Sequence, residues 1–220
     1  MHDYQDYGWS TPETEAHGYL LPALLRLLGP RRDRTILDLG CGSGFLARQL
    51  LAHGFNVYGV DASESGIELA SRGHEGRFFV IDPSMRQLPD ALVEVPFDTI
   101  VSTEVIEHLY DPAEFIQFCQ SVLPTGGELI LSTPYHGYLK NLGLAIFGAW
   151  DKHHTAHWRG GHIKFWSRAT LTTLLVNGGF SVERFLGCGR APYLWKSMFM
   201  SARSKGSPQA AVGGLQAPPY

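Results

Sequence analysis

The sequence predicts an α/β fold in which a mostly parallel sheet of seven strands is flanked by helices, as a three-layer sandwich. Three observations lead to this prediction. Short apolar runs alternate with helical patterns along most of the chain, which is typical of βαβ units. A glycine-rich turn directly follows the first of these runs, Thr35–Leu39. Asp61 ends the next run, about 20 residues beyond the turn, as in nucleotide-binding units.

Length and composition narrow the class of protein. With 220 residues, 44% of them apolar and 18% charged, the chain is suited to one globular domain, which we place at residues 1–203. The tail, residues 204–220, is rich in Gly, Pro, Gln and Ala, which predicts disorder. A net charge of −3 gives no electrostatic reason to expect a nucleic acid partner.

Targeting signals and cysteines bear on localisation. The first ten residues are polar and carry Tyr4, Tyr7 and Trp9, so they do not form a secretory signal. They form either a loosely ordered arm or a flap whose aromatic rings close over a ligand. No apolar run reaches the ~20 residues that span a bilayer. Three cysteines without metal or redox spacing are typical of free thiols in a reducing cytoplasm.

The secondary structure elements follow in a regular order. Gly29-Pro30 ends the first helix, Asp111-Pro112 begins a helix after the fourth strand, and Ser167 begins the last helix. The last strand is expected to be antiparallel, at or near the edge of the sheet. The predicted helices are 20–28, 43–52, 63–72, one from 112 and one from 167, and the predicted strands are 35–39, 56–60, 77–81, 97–102, 128–132, 180–186 and 193–202.

The spacing of the glycine turn distinguishes between ligands. A dinucleotide fingerprint counted from Gly40 requires a glycine at position 45, but that residue is Phe45 and the third glycine is Gly44. Asp38 precedes the turn, and its carboxylate suits an ammonium or sulfonium better than a pyrophosphate. The pattern Asp-x-Gly-x-Gly-x-Gly resembles motif I of the class I S-adenosylmethionine (SAM)-dependent methyltransferases, which have a Rossmann-like fold.

Asp61 supports an adenosyl ligand independently, because an acid at the end of the second strand can accept hydrogen bonds from both ribose hydroxyls. Its alternative role is a helix N-cap, although Ser63 could fill that role instead. The resemblance to class I methyltransferases implies SAM as cofactor and places Asp82 near the adenine amine. The full set of expected cofactor-binding residues is Asp38, Gly40, Cys41, Gly42, Gly44, Phe45, Asp61, Ala62, Asp82 and Thr103.

A second group of polar residues, Glu104, Glu107 and His108, follows the fourth strand. Ionisable groups at the carboxyl end of a central strand are costly unless they are paired or bind something. One interpretation is that one acid positions SAM, the other is solvated, and His108 caps or packs. The other is a divalent metal site for Mg²⁺, Mn²⁺ or Zn²⁺.

The pattern Glu-x-x-Glu-His is similar to the metal motif of two methyltransferase groups: the ubiquinone-biosynthesis O-methyltransferases and the small-RNA 3′-terminal 2′-O-methyltransferases. In the latter a later histidine completes the site, and His162 stands at the matching position. This resemblance implies metal ligands at Glu104, Glu107, His108 and His162. His153, His154, His157 and His162 could instead form an independent metal tract or a polar loop. The candidate catalytic residues are Glu104, His108 and His162; without a metal, a histidine would act as general base.

The insert at residues 135–166 bears on the acceptor. Its apolar part, 139–150, resembles the membrane-touching element of the quinone-type enzymes; we expect either a lid over the site or a peripheral membrane contact. We therefore expect O-methylation of a small hydroxylated, catechol-like or lipophilic acceptor. RNA 3′-terminal 2′-O-methylation is less expected, because Arg159, Lys164 and Arg168 are a thin supply of cations. A non-catalytic SAM-binding protein is the third hypothesis.

Overall fold

The computed structural model of the chain describes residues 8–9, 14–82, 86–150 and 161–206. The α-helices in this part are α1 His17–Leu28, α2 Phe45–Ala52, α3 Glu64–Ser71, α4 Pro112–Val122, α5 Tyr138–Ile146 and α6 Arg168–Asn177. The strands are β1 Thr35–Leu39, β2 Asn56–Asp61, β3 Phe78–Val80, β4 Thr99–Thr103, β5 Glu128–Pro134, β6 Phe180–Cys188 and β7 Ser197–Ser204.

The strands form one sheet in the order β3-β2-β1-β4-β5-β7-β6. Strands β1 to β5 pair in parallel, and β7 pairs antiparallel with both β5 and β6. The predicted seven-stranded, mostly parallel sheet is thus confirmed. Strand β7 continues to Ser204, the first residue of the predicted tail, because that residue pairs with Gly127 through a 2.9 Å backbone hydrogen bond. The rest of that tail, from residue 207, lies outside the described residues.

Two apolar cores lie on opposite faces of the sheet, because successive residues of a strand point to opposite sides. In β5, Leu129 belongs to the core that also contains Phe115 of α4 and Leu171 of α6. Its neighbour Ile130 belongs to the core that contains Leu24 of α1, and residues of α2 and α3 pack there too. The architecture is therefore the three-layer sandwich that the sequence predicts.

Local signals in the sequence set several helix starts. Asp111 caps α4, with its Oδ1 accepting hydrogen bonds from the backbone N–H groups of Ala113 and Glu114 at 3.0 Å each, and Pro112 stands at the first helical position. Ser167 forms a reciprocal capping box with Thr170 at the start of α6. These caps explain why the boundaries of α4 and α6 could be read from the sequence.

A buried ion-pair cluster links several strands at the amino end of β5. Glu128, the first residue of β5, accepts hydrogen bonds from Arg34 Nη1 and from Ser201 Oγ at 2.6 Å each, and from Arg184 as well. These contacts lie at the amino end of β5, away from the ends where the polar motifs occur. The cluster therefore belongs to the framework of the fold.

Helix α5 differs from the other described α-helices because none of its residues is buried. All but its first residue belongs to the apolar segment predicted at 139–150, and the remaining part of that segment is exposed at Phe147 and Trp150. Within the described ranges, no helix combines the length and the apolar character needed to cross a bilayer. All three cysteines are free thiols.

Candidate active site

The glycine turn lies at the carboxyl end of β1 and is held against β2. The backbone N–H groups of Gly40 and Cys41 both donate to the carbonyl of Val60, at 2.8 and 3.0 Å. A Cβ atom on Gly40 would lie 2.5 Å from Val105 Cγ2, and the φ of Gly40 is +83°. Glycine is thus required here by both conformation and space, and the turn lies directly beside the residues that follow β4.

Asp38, one of the predicted cofactor-binding residues, is almost fully buried. The residue is 1% exposed, and its Oδ1 has no hydrogen-bond partner in the described part of the chain. Burial, reinforced by the charge of Asp61, raises the pKa of Asp38 to about 7. A buried carboxylate oxygen without a donor is what an ammonium group would satisfy, so this residue fits the amino acid part of SAM.

Asp61 links the turn to the start of α3. Its Oδ2 accepts from the backbone N–H of Gly42 at 2.7 Å, and its Oδ1 accepts from that of Ser63 at 2.8 Å. The N-cap of α3 is Ser63, whose Oγ accepts from the N–H of Gly66 at 3.0 Å. The capping role considered for Asp61 is therefore filled by Ser63, and the carboxylate of Asp61 joins the glycine turn to the start of α3.

The remaining predicted cofactor residues lie around the same edge of the sheet. Asp82 is exposed and follows Ile81, whose N–H donates to the carbonyl of Asp61 at 3.0 Å. Thr103 is the last residue of β4, and Ala62 lies between Asp61 and the cap of α3.

At the end of the turn, Gly44 is the N-cap of α2, with a left-handed φ of +73°. Phe45 stacks on His17 of α1, with 4.3 Å between ring centroids.

Burial, together with the charge of Asp38, raises the pKa of the Cys41 thiol well above its usual value. Cys41 is therefore a small loop residue and not an activated nucleophile.

Part of the N-terminal arm packs on the turn. The N–H of Trp9 donates to Ser65 Oγ at 3.1 Å. A Cβ on Gly42 would lie 2.7 Å from Cζ2 of the Trp9 ring. Of the aromatic residues considered for a flap, Trp9 is thus in contact with the glycine turn, while Tyr4 and Tyr7 lie outside the described residues.

Glu104 lies immediately after β4 in a strained backbone conformation, with a φ of +55°. Its Oε1 accepts from Ser132 Oγ at 2.8 Å and its Oε2 accepts from Ser197 Oγ at 3.2 Å. Burial raises the pKa of Glu104 to about 7, although both hydroxyl groups and the charge of Lys140 oppose that shift. Non-glycine residues with positive φ often mark functional sites.

Glu107, His108 and His162 form a separate group whose potential ligand atoms all lie within 4.8 Å of one another. The two imidazole rings are 4.9 Å apart between centroids. Glu107 Oε2 accepts from Thr133 Oγ1 at 3.0 Å, whereas Oε1 has no hydrogen-bond partner among the described residues and lies 3.9 Å from His108 Nε2. Burial, and then the charge of Glu104, raise the pKa of Glu107 well above its ordinary value.

Backbone pairing explains why His162 reaches this group across the insert. The N–H groups of Ile163 and Lys164 both donate to the carbonyl of Glu107 at 3.0 Å, which fixes the chain just after His162. A buried carboxylate oxygen that accepts no hydrogen bond and lies beside two imidazoles is a donor set that suits a divalent cation. His153, His154 and His157 lie outside the described residues.

The structure thus brings together three of the four residues predicted as metal ligands. Glu104 is held by Ser132 and Ser197 instead, and Glu107 is held by Thr133. These three hydroxyl residues are not among the site residues predicted from the sequence. The signal available for Ser132 and Thr133 was the presence of two hydroxyl side chains after an apolar run in β5, where each buried hydroxyl needs a polar partner; Ser197 lies in β7.

Comparison with known proteins gives a consistent result. Residues 13–184 match a family described as a methyltransferase domain. The chain is 37% identical over 122 residues to a ubiquinone biosynthesis O-methyltransferase of Caulobacter sp. (strain K31), a match covering 54% of this chain and 48% of that protein. It is 33% identical over 179 residues to the protein of that name from Ruegeria sp. (strain TM1040), covering 78% and 70%. The chain therefore spans about half the length of the Caulobacter relative.

Solved structures share the fold. Magnesium protoporphyrin IX methyltransferase (ChlM) from Synechocystis PCC 6803, solved with bound SAH, superposes with a TM-score of 0.61 at 22% identity. The superposition covers 84% of this chain and 80% of that one. At this identity the likeness concerns the fold alone.

Proposed function

The chain belongs to the methyltransferase-domain family, and from that premise we propose that it transfers a methyl group from SAM to a hydroxyl oxygen of a small acceptor. The observation that carries the proposal is the placement of two polar groups at neighbouring strand ends. The glycine turn with Asp38 follows β1, and Glu104 with the group Glu107–His108–His162 follows β4, which pairs with β1. In sheets of this kind, ligands bind outside the carboxyl ends of the strands.

SAM, when bound, supplies an electrophilic methyl group on a sulfonium centre. Asp38 offers its unpartnered oxygen to the ligand ammonium, and Asp61 offers its carboxylate to the ribose. The glycine turn lets the backbone approach the ligand closely, because no side chain intervenes. These residues position the ligand, and positioning is a large part of catalysis for in-line transfer.

Glu107, His108 and His162 would hold a divalent cation, for which Mg²⁺, Mn²⁺ and Zn²⁺ are the candidates. Such an ion would act as a Lewis acid that lowers the pKa of an acceptor hydroxyl and fixes its direction. Glu104 would have to release the hydroxyls of Ser132 and Ser197 to join them. Without an ion, His108 or His162 would serve as general base for the hydroxyl proton, a contribution of about 10²–10⁴ in rate.

The proposed acceptor is a hydroxylated aromatic or lipophilic molecule, of catechol or quinol type. The names of the relatives support this class, as does the apolar character of α5, which follows β5 in the insert. RNA is the second candidate acceptor, since its 3′ end also carries a vicinal diol. The net charge of −3 makes it the weaker one, because a polyanion needs several cations.

Titration calorimetry with SAM, followed by a methyl-transfer screen over catechols, hydroquinones and short RNAs, tests the proposal. We expect SAM binding and transfer to a catechol. Absence of SAM binding would contradict the whole proposal. SAM binding without transfer to any acceptor would favour a non-catalytic binding protein.

The metal is tested by calorimetry with Mg²⁺, Mn²⁺ or Zn²⁺ on three variants. Glu107→Gln and His162→Ala should each remove metal binding, because each deletes one ligand of the group. Glu104→Gln is the matched control, an equivalent change three residues away in a residue bonded to Ser132 and Ser197. Loss of metal binding in Glu104→Gln alone would contradict the three-residue site.

We also propose a peripheral membrane contact through the segment 139–150. Leu139, Leu142 and Ile146 are 53%, 41% and 68% exposed, and their spacing places them on one side of α5. Co-sedimentation with liposomes should fall in Leu142→Glu/Ile146→Glu, and should be unchanged in Val176→Glu, another exposed apolar position. Equal pelleting of all three proteins would leave α5 as a lid only.

A further inference from the structure

A cavity of about 540 Å³ lies between α5 and the segment that precedes β7. Lys140, Gly143, Leu144 and Phe147 line one side of it, at the spacing i, i+3, i+4 and i+7 that defines one helix face. The segment that precedes β7 contributes Arg190, among other residues. The volume is in the range of sites for small molecules.

The two charged residues of this cavity are both cations. Burial lowers the pKa of Lys140 to about 8, and the charge of Arg190 adds to that shift, so the two cations act on each other electrostatically. In the described part of the chain, neither forms an ion pair within 4.0 Å. Two neighbouring cations beside an apolar wall are costly by themselves, and an anion bound between them would remove the repulsion.

The cavity adjoins the site already described. The charge of Lys140 stabilises the ionised form of Glu104, and Glu104 follows directly on β4. Helix α5 begins only three residues after the end of β5. A molecule held in the cavity can therefore extend toward the carboxyl end of β4, where the acceptor hydroxyl must lie.

We propose that this cavity is the acceptor subsite, and that it selects an amphipathic acceptor whose carboxylate binds between Lys140 and Arg190 while its apolar body packs on Leu144 and Phe147. As a statement about the acceptor, the proposal rests on the proposed function. Binding of the carboxylate can be measured without methyl transfer, so the two can fail separately.

An anionic lipid headgroup would offer the same charge as a carboxylate. The arrangement on α5 favours a bound small molecule, because Lys140 lies on the helix face that lines the cavity. The exposed apolar residues Leu139, Leu142 and Ile146 lie at other positions and do not line the cavity. A bilayer that met those residues would not place its headgroups within the cavity.

Calorimetric titration with octanoate and with octan-1-ol tests the binding step. The wild type should bind octanoate more tightly than the alcohol. Lys140→Met keeps the apolar stem and should weaken octanoate binding about tenfold to a hundredfold, the loss of one hydrogen-bonded charge. Arg190→Met should weaken it in the same direction, and both variants should bind octan-1-ol as the wild type does.

Lys205→Met is the control for net charge, since Lys205 is exposed and does not line the cavity. It should bind octanoate normally, and Lys140→Arg should restore most of the affinity lost in Lys140→Met. Thermal unfolding of each variant would show that the fold is retained. Octanoate affinity that is equal in wild type, Lys140→Met and Arg190→Met would overturn the proposal.

Two further measurements are needed. One distinguishes a lipid headgroup from a small carboxylate as the bound anion, and the other distinguishes the carboxylate subsite from the proposed O-methylation. If Lys140→Met loses binding to anionic vesicles but keeps its octanoate affinity, the cations contact a lipid surface and the carboxylate subsite is wrong. In methyl transfer, Lys140→Met should lower kcat/KM for a catechol with a carboxylated alkyl chain by a larger factor than it lowers kcat/KM for the methyl ester of that catechol. If no catechol is methylated while octanoate binding depends on Lys140, the subsite stands and the proposed O-methylation is wrong.

Discussion

Replacing Asp38 with asparagine should change two properties of the protein in a linked way. The side chain is buried, and its Oδ1 lacks a partner among the described residues. Burial raises its pKa from 3.8 to about 7. Asparagine has nearly the same shape but cannot ionise, so the substitution removes the charge and its titration while the space is kept.

The first property is the pH dependence of stability in the absence of ligand. Between the unfolded pKa of 3.8 and the folded pKa of about 7, the folded state holds a proton that the unfolded state has released. Stability from this group is therefore fully present below pH 3.8 and is lost as pH rises through about 7. The loss amounts to about 1.4 kcal/mol per pH unit within the window.

Asp38→Asn should remove that slope. The buried amide also leaves polar groups unsatisfied, a penalty of about 1–3 kcal/mol that does not depend on pH. Glu104, whose pKa is also raised to about 7, contributes a slope of the same sign to both proteins, so it cancels in their difference. Urea unfolding at several pH values from 5 to 8 measures the free energies of unfolding from which that difference is taken.

The second property is affinity for SAM. Above pH 7 the carboxylate is ionised, and losing its hydrogen bond to the ligand ammonium should weaken binding about tenfold to a hundredfold. Below pH 7 the wild type must first release the proton of Asp38, so its affinity should fall toward that of the variant. Calorimetry with SAM at pH 6 and pH 8 measures both effects.

Parallel stability slopes in wild type and Asp38→Asn would refute the assignment of a raised pKa to this residue. Equal SAM affinity at pH 8 would refute its contact with the ligand. Asp90→Asn is the matched control, because Asp90 is exposed and should change neither property.

Two further predictions concern the framework, and both are read from urea unfolding. Gly44→Ala should lower the free energy of unfolding by about 2–4 kcal/mol, because its new Cβ would lie 2.5 Å from the Cβ of Ala70 at a φ of +73°. Gly73→Ala has a φ of +72° and open space around it. It should lower the free energy of unfolding by only about 1–2 kcal/mol, which is the cost of the backbone strain. Glu128→Gln should lose about 3–5 kcal/mol because it leaves buried arginine charge unpaired, whereas the same change at the more exposed Glu183 should lose less than about 1 kcal/mol. Equal losses within either pair would contradict these explanations.

The fold and the cofactor half of the site could be predicted because their signals are local. The cap and proline at Asp111-Pro112 set the start of α4 within a few residues of chain. The spacing from Gly40 to Phe45 excluded a dinucleotide turn without any knowledge of distant residues. Such signals work because helix starts and tight turns depend on hydrogen bonds among neighbours in sequence.

The environment of Glu104 could not be predicted in this way. Its partners Ser132 and Ser197 come from β5 and β7, and they meet only because β7 inserts between β5 and β6 in the sheet. The strand pattern predicted an antiparallel last strand, but register and neighbours depend on packing across the whole sheet. The sequence also does not show which face of α5 lines the cavity and which is exposed, since apolar residues occur on both faces.

Glu104 and Glu107 contact different partners because the short 3₁₀ helix Ile106–His108 begins shortly after the end of β4. Three residues of chain direct one carboxylate to the hydroxyls of the sheet and the other to two imidazoles. Glu107 is buried and Glu104 is half-buried, and the charge of Glu104 raises the pKa of Glu107 further, so keeping both carboxylates ionised requires a compensating cation. SAM is cationic, a divalent metal is cationic, and Lys140 already acts on Glu104. The same repulsion that makes this pair costly in the absence of ligand is therefore what would favour a positively charged ligand at the end of β4.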